Sequence, residues 1–355
     1  MQKIIKEFQL NYVSDCLNQF CTKDTLLFDI ECTGLSPRTA QVYLIGCAFR
    51  CEKTITIVQF LMDDLSEEES LLVAFDEFLK KYNNLMGFNS TRFDQPFLEE
   101  RYKKYNLPHS LKTKNHTDLY LTSTKLKCLI DLPNYKQKSI EQFLGLYRKD
   151  EYDGGQLIPV YKDYAINKNE EALKLVLLHN YEDVKGMITA IDFLAYLPLL
   201  KSNIILDDYV CESDDSFVRV TARLPFRVPN NINKKREYGL IIISNNSISL
   251  ILDIHRLSLN TYLKDFKNYV YHTEENIIIP KVLATTIDKA LIRPATREDC
   301  HASLDGCFVR IPEHIEVSSD VRIFKESFKS KDFYIQSSDM NEDIAKQLIR
   351  YIIKH

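Results

Sequence analysis

Apolar and polar positions along this chain change period several times, and each change predicts an element. Residues 26–31 (LLFDIE) are a short apolar run, which predicts a buried strand. The β-rich stretches 42–50 (VYLIGCAFR) and 54–60 (TITIVQF) follow, separated by three polar residues. Strands joined by such short links predict an antiparallel meander. Ser66 and Glu69 then have the spacing of a capping box, and Leu71, Leu72, Phe75, Phe78 and Leu79 keep helical spacing. Residues 85–89 read as a fourth strand, reached through that helix and so parallel to the first. A helix over 94–105 follows, then a short fifth strand over 117–120 and a helix over 139–146 opened by Ser139 and Gln142. Residues 168–197 read as helical for most of their length. Past Pro198 and the acidic, turn-like 207–216 the texture changes. FVRVTARL, GLIIIS and SISLILDI read as strands, with a hairpin turn at Asn245-Asn246 and a second hairpin around 273–276. A helix over 281–291 and a closing helix over 341–353 complete the pattern.

With 355 residues the chain suits two ordinary domains, placed at 1–200 and 201–355. Hydrophobic residues are 45% and charged residues 27%, which excludes wholesale disorder. No apolar stretch approaches the ~18–20 residues of a membrane span. The first residues, MQKIIKEFQLN, carry charges where a signal peptide needs an apolar run. The expectation is a cytoplasmic protein with no membrane partner. Nine cysteines, an odd number without any CxxC, read as reduced thiols. Cys300, His301 and Cys307 lack the second ligand pair that structural zinc requires. Charge narrows the function classes. The net charge is −4, with 24 basic and 28 acidic residues before position 201 and 22 of each from position 201 onward. A protein that coats nucleic acid non-specifically is basic. Nucleic acid, if this chain handles it, belongs in a local groove or on metal ions.

Four carboxylates and one imidazole stand out by context. Asp29 and Glu31 lie two apart on the first strand, so both side chains leave one face of the sheet. Acids at the end of a buried strand are costly unless something positive sits there. Asp94 opens the helix after the fourth strand, near Asp29 if those strands are neighbours. His179 and Asp183 are one helical turn apart on a common face. No Lys or Arg in sequence matches these acids, which suggests divalent cations, and oxygen-only ligands favour Mg²⁺ or Mn²⁺. Two ions roughly 3.5–4 Å apart would clamp a phosphodiester. His179, whose side-chain type titrates near neutrality, has the chemistry of a general base. Taken singly, each residue has an ordinary reading: Asp94 as a helix cap, His179 and Asp183 as a solvated pair, Asp29 and Glu31 as strand-end charges. Their joint pattern carries the argument.

That pattern resembles a known family. FDIECTGL (28–35) resembles the first motif of the DEDD exonuclease superfamily, GFNSTRFDQPFL (87–98) its second, and HNYEDV (179–184) its third. His179 stands four residues before Asp183, and this His-Asn-x-x-Asp-Val form resembles the bacterial YprB-type RNase H-like exonucleases, a DEDDh-like group. The resemblance covers residues 24–197. It implies an α/β, RNase H-like mixed five-stranded sheet flanked by helices; the strand-like texture past Pro198 separately predicts an α+β, strand-rich C-terminal domain. The resemblance implies 3′→5′ hydrolysis of DNA or RNA on two Mg²⁺ or Mn²⁺ ions held by Asp29, Glu31, Asp94 and Asp183, with His179 as base and a role in repair or processing. Thr33, Gly34, Leu35, Asn89 and Phe93 take the places that meet the terminal nucleotide, or shape ordinary turns. Cys32, by strand alternation, turns away from the acids. His116 and Asp118 read as structural.

The partner implied is nucleic acid, a single-stranded 3′ end. Two rivals remain open: a weak or inactive scaffold recruiting a helicase or repair partner through residues 201–355, and an internally cleaving RNase H-like nuclease. In the second half, Lys264, Lys267, Tyr269 and Tyr271 interleave bases with aromatics, which suits either a single-strand binder or a packed hairpin. Lys289, Arg293 and Arg297 share helical spacing, with Pro294 between them.

Overall fold

The apolar runs at 26–31, 42–50 and 54–60 pair as adjacent strands in a computed structural model of the chain, which describes residues 1–149, 152, 154–201, 207–214 and 216–355. The chain divides into two compact units: Met1–Pro198 with Val228–Asn230, and Leu199–Arg227 with Asn231–His355.

The first unit runs β1 (Gln2–Gln9), α1 (Asp15–Phe20), β2 (Thr25–Cys32), β3 (Val42–Cys51), β4 (Thr54–Leu61), α2 (Glu68–Leu79), β5 (Asn84–Gly87), α3 (Asp94–Lys104), β6 (Asn115–Asp118), α4 (Leu119–Ser123), α5 (Gln137–Phe143), α6 (Gly154–Asn167) and α7 (Glu170–Ala190). Its sheet has the order β1-β4-β3-β2-β5-β6. The first four strands are mutually antiparallel, whereas β5 is parallel to β2 and to β6. The expected sheet had five strands; β1 is the sixth. Its pattern QKIIKEFQ mixes polar residues through an edge strand half open to water, so no continuous apolar run announces it. The core lies on both sides of β2 and β3, where Phe28, Tyr43, Leu44, Phe75, Phe97 and Tyr161 are buried.

Neither capping box forms. α2 begins at Glu68 without a side-chain cap, because Ser66 Oγ donates to Asp64 Oδ1 (2.7 Å). α5 begins at Gln137, and Ser139 Oγ donates to Asn134 Oδ1 (2.7 Å). In both places a nearby acceptor outcompetes the helix end. α7 does carry a side-chain cap: Asn169 Oδ1 accepts from the Glu171 and Ala172 amides (3.0 and 3.3 Å), with Glu170 and Glu171 in the first turn. Its buried stripe of Ala172, Val176, His179, Asn180, Val184 and Met187 faces the sheet, so His179 rides on a packing face.

The second unit is strand-rich. Ser247–Tyr262 pairs with Gly239–Ser244 and Phe217–Arg223 along its first half, and with His301–Ile311 along its second. Asn245 adopts φ 52° in the turn at Asn245-Asn246. Tyr269–His272 and Ile277–Pro280 form the second hairpin, and Glu342–Lys354 is an amphipathic closing helix that buries Ile344, Leu348, Ile349, Ile352 and Ile353. The helix expected over 281–291 is absent. Two 3₁₀ turns, at Ala284–Thr286 and Lys289–Leu291, lead into a short strand, Ile292–Pro294. Arg293 is held by Asp299 (2.6 and 2.8 Å) and lies over the Tyr271 ring, while Arg297 lies over Phe266. Lys289, Arg293 and Arg297 therefore share no helix face; pairing of Arg293's strand with Tyr269–His272 outweighs the helical spacing.

Candidate metal centre

Parallel pairing of β2 with β5 brings the end of β2 beside the start of α3, and α7 packs across β2, β3 and β4. Asp29, Glu31, Asp94, His179 and Asp183 thereby line one cleft of about 440 Å³. His179 Nε2 lies 3.1 Å from Asp183 Oδ2 and 3.5 Å from Glu31 Oε1. Glu31, His179 and Asp183 each place one donor atom within 4.8 Å of the others, and are the one such group of three among the described residues. Cys300, His301 and Cys307 form none there.

Asp94 is not a cap. α3 has no side-chain cap bond; the carboxylate turns instead to β2, where Oδ1 accepts from the Ile30 amide (3.1 Å). It is 4% exposed, and burial pushes its carboxyl up to about 7, with the charges of Asp118 and Asp183 adding and the Ile30 amide opposing. Asp29 rises well above the carboxylate range, first from burial and then from Asp183, Asp94 and Glu31. Two like charges about 4 Å apart repel by about 4 kcal/mol at an effective dielectric of about 20. The cleft thus holds negative charge that its own donors offset only in part.

Asp29 faces Gly46 across the β2–β3 pair. A Cβ on Gly46 would run into Asn180 Oδ1 and Val184 Cγ2, so glycine admits α7 to the sheet at this point. Asn180 uses the space. Its Nδ2 donates to Asp29 Oδ2 (3.0 Å), and its Oδ1 accepts from Gln59 Nε2 (3.0 Å). Asn180 fixes the orientation of Asp29 and was missed by the sequence reading, although it stands next to His179 in the third motif.

Residues 26–195 match the RNase_H_2 family model, described as RNase_H superfamily. No curated protein matches the chain. Among solved structures, the chain is similar to the family B DNA polymerase from the hyperthermophilic archaeon Pyrobaculum calidifontis, at 14% identity and a TM-score of 0.40. That match covers 72% of this chain and 39% of the polymerase chain, so the chain spans well under half of that protein. The first unit, a six-stranded mixed sheet flanked by helices, is an RNase H-like fold.

In this RNase H-like unit the sequence-derived substrate residues divide. Gly34, Leu35, Asn89 and Phe93 line the cleft, Leu35 on its rim at 83% exposure. The Thr33 side chain does not; its Oγ1 accepts from the Gln41 amide (2.9 Å), and its own amide donates to the Gln41 carbonyl (2.9 Å). Asn89 sits at φ 62° in a loop that Asp118 organises, accepting from the Asn89 and Thr91 amides (3.1 Å each) and capping α4. His116 bridges Ser90 Oγ (2.8 Å) and Gln95 Oε1 (2.6 Å). Cys32 departs from expectation and lines the cleft. The β2–β3 register shifts between Glu31 and Cys32, which breaks the strict alternation that would have turned it away. Burial pushes its thiol well up, with Asp94, Glu31 and Asp29 adding.

The acids also have a cation beside them, contrary to the sequence reading. Arg148 Nη1 donates to Asp183 Oδ1 (2.5 Å). Thirty-five positions separate the two residues, and no local spacing links them. Among the described residues no helix is long and apolar enough to cross a membrane.

Proposed function

We propose that the first unit is a metal-dependent 3′→5′ exonuclease acting on single-stranded ends of DNA or RNA. One observation carries this reading: Asp29, Glu31, Asp94 and Asp183 meet His179 in a single cleft of an RNase H-like fold. The donor set fits a divalent cation. Carboxylate oxygens suit Mg²⁺ or Mn²⁺, and a bound ion would oppose the upward shifts of Asp29 and Asp94, which come first from burial and then from the neighbouring acids. Asp29, Glu31, Asp94 and Asp183 would hold two ions, which when bound supply charge neutralisation at the phosphodiester and an acidified water.

The chain's own residues do the rest. His179, held at the cleft floor on α7, receives the proton of the attacking water at Nε2. Asn180 keeps Asp29 turned into the cleft. Phe93 offers a ring face and Leu35 an exposed apolar rim to the terminal base, while Gly34 keeps the loop low beside the sugar. Thr33 serves this loop through Gln41 rather than by touching the nucleotide. Residues 1–200 form the exonuclease domain in this reading, and residues 201–355 a separate domain of unassigned function.

The test uses 5′-labelled and 3′-labelled single-stranded DNA and RNA, and circular substrates, with Mg²⁺, Mn²⁺ or EDTA. The expected result is nucleotide release from the 3′ end that requires the metal and falls about 10³-fold in Asp94→Asn. Cleavage of circles, or release that persists in EDTA, overturns the exonuclease reading.

A further inference from the structure

Arg148 follows α5 and reaches the third-motif aspartate on α7. Its side chain is 5% exposed and commits three nitrogens. Nε and Nη2 donate to Glu141 Oε2 and Oε1 (2.5 and 2.6 Å), and Nη1 donates to Asp183 Oδ1 (2.5 Å). Glu141 is fully buried and also accepts from Gln137 Nε2 (2.8 Å), which in turn donates to the Asp183 backbone carbonyl (2.7 Å). A Cβ on Gly186 of α7 would overlap Glu141 Oε1, so the helix carries glycine where this group passes. The guanidinium is thus built into the unit and cannot leave Asp183 without breaking a fork on a buried carboxylate. It pins Oδ1 of Asp183, while Oδ2 faces His179 Nε2.

We propose that Arg148 is a positioning residue: a fixed internal counter-cation, anchored by Glu141, that occupies Asp183 where a divalent ion would otherwise draw both oxygens. It keeps the acid cleft assembled without metal and weakens metal binding. The inference rests on the metal-site reading above. A guanidinium on one carboxylate oxygen shields the field that an arriving ion feels and leaves it only Oδ2 of Asp183, the oxygen that faces His179 Nε2. Glu141 prevents Arg148 from swinging clear, so the competition is permanent.

The experiment compares the full chain with the double variant Glu141→Gln, Arg148→Gln. This exchange removes one charge of each sign, leaves the net charge unchanged, and puts two amides able to pair with each other in place of the fork. Mn²⁺ binding is measured by calorimetry, and the melting temperature is taken with EDTA and with Mn²⁺. The double variant is expected to bind Mn²⁺ about fivefold more tightly, to melt lower in EDTA and to gain a larger rise on adding Mn²⁺. Equal or weaker Mn²⁺ binding by the folded double variant overturns the proposal. Arg148→Lys provides the second reading if the double variant does not fold. Lysine lacks the planar fork that spans the two acids, and its ammonium is expected to stay with the more buried Glu141, so Mn²⁺ affinity rises in the same direction; an unchanged affinity overturns the proposal. A wild-type chain that binds no Mn²⁺ refutes the metal-site reading itself, whereas equal binding by wild type and variants refutes only the role of Arg148.

Discussion

Glu68 and the acids of the cleft are wholly or partly buried carboxylates of the same unit, yet their surroundings differ in kind. Glu68 is closed. Oε1 accepts from the Val42 amide (2.8 Å) and Arg101 Nε (2.7 Å), and Oε2 from Arg101 Nη2 and Tyr105 OH. Arg101, itself fully buried, also donates to the Pro37 carbonyl (2.8 Å). Asp29 and Asp94 instead accept from neutral donors, Asn180 Nδ2 and the Ile30 amide, and their carboxyls are pushed upward. A buried ion pair with every lone pair satisfied holds the loop before β3 and α3 to α2. Asp29 and Asp94, held by neutral groups, keep their charge available to a ligand, at a cost to the metal-free fold.

The largest break in this comparison is on the closed side. Arg101→Met leaves Glu68 buried without its cation and is expected to cost about 3–5 kcal/mol, read as a fall in the denaturant midpoint with an unchanged slope. If that variant is as stable as wild type, Glu68 and Arg101 do not act as the closed pair described.

The open side should respond with the opposite sign. A carboxyl whose folded value lies above its unfolded value binds more protons in the native state between the two. Stability of the metal-free chain is therefore expected to fall as pH rises from about 4 to about 7, by a few kcal/mol. Asp94→Asn should flatten that slope and raise stability at pH 8 in EDTA. Thermal melts at a series of pH values check this; an Asp94→Asn chain whose metal-free pH dependence from 4 to 7 matches that of the wild type would contradict the upward shift of Asp94.

The smallest effect tests the glycine that joins the two layers. Gly46→Ala forces Asn180 and Val184 away from β3 and is expected to cost about 1–3 kcal/mol. Because Asn180 also orients Asp29, Mn²⁺ affinity should fall with it, whereas a plain packing loss would leave affinity intact.

Much of the RNase H-like unit was legible in the sequence because its signals are local. Apolar runs gave the meander, the intervening helix made β5 parallel to β2, and the two-residue spacing of Asp29 and Glu31 put both on one face. Where a signal depended on a competitor elsewhere, it misled. Ser66 and Ser139 look like caps until Asp64 and Asn134 take their hydroxyls. Cys32 looks turned from the acids, yet it borders their cleft where the register shifts after Glu31. The run 281–291 looks helical until its last residues lead into a strand pairing.

The sequence by itself determined which acids and which histidine the cleft would gather and which elements bear them, since strand alternation and helix periodicity act over a few positions. Tertiary structure alone decided the electrical state of the site. Arg148 and Asn180 reach the acids across 35 and 151 positions, through packing that only the folded sheet and α7 create. A charge acts through space at a few ångströms, and separation along the chain says nothing of that distance.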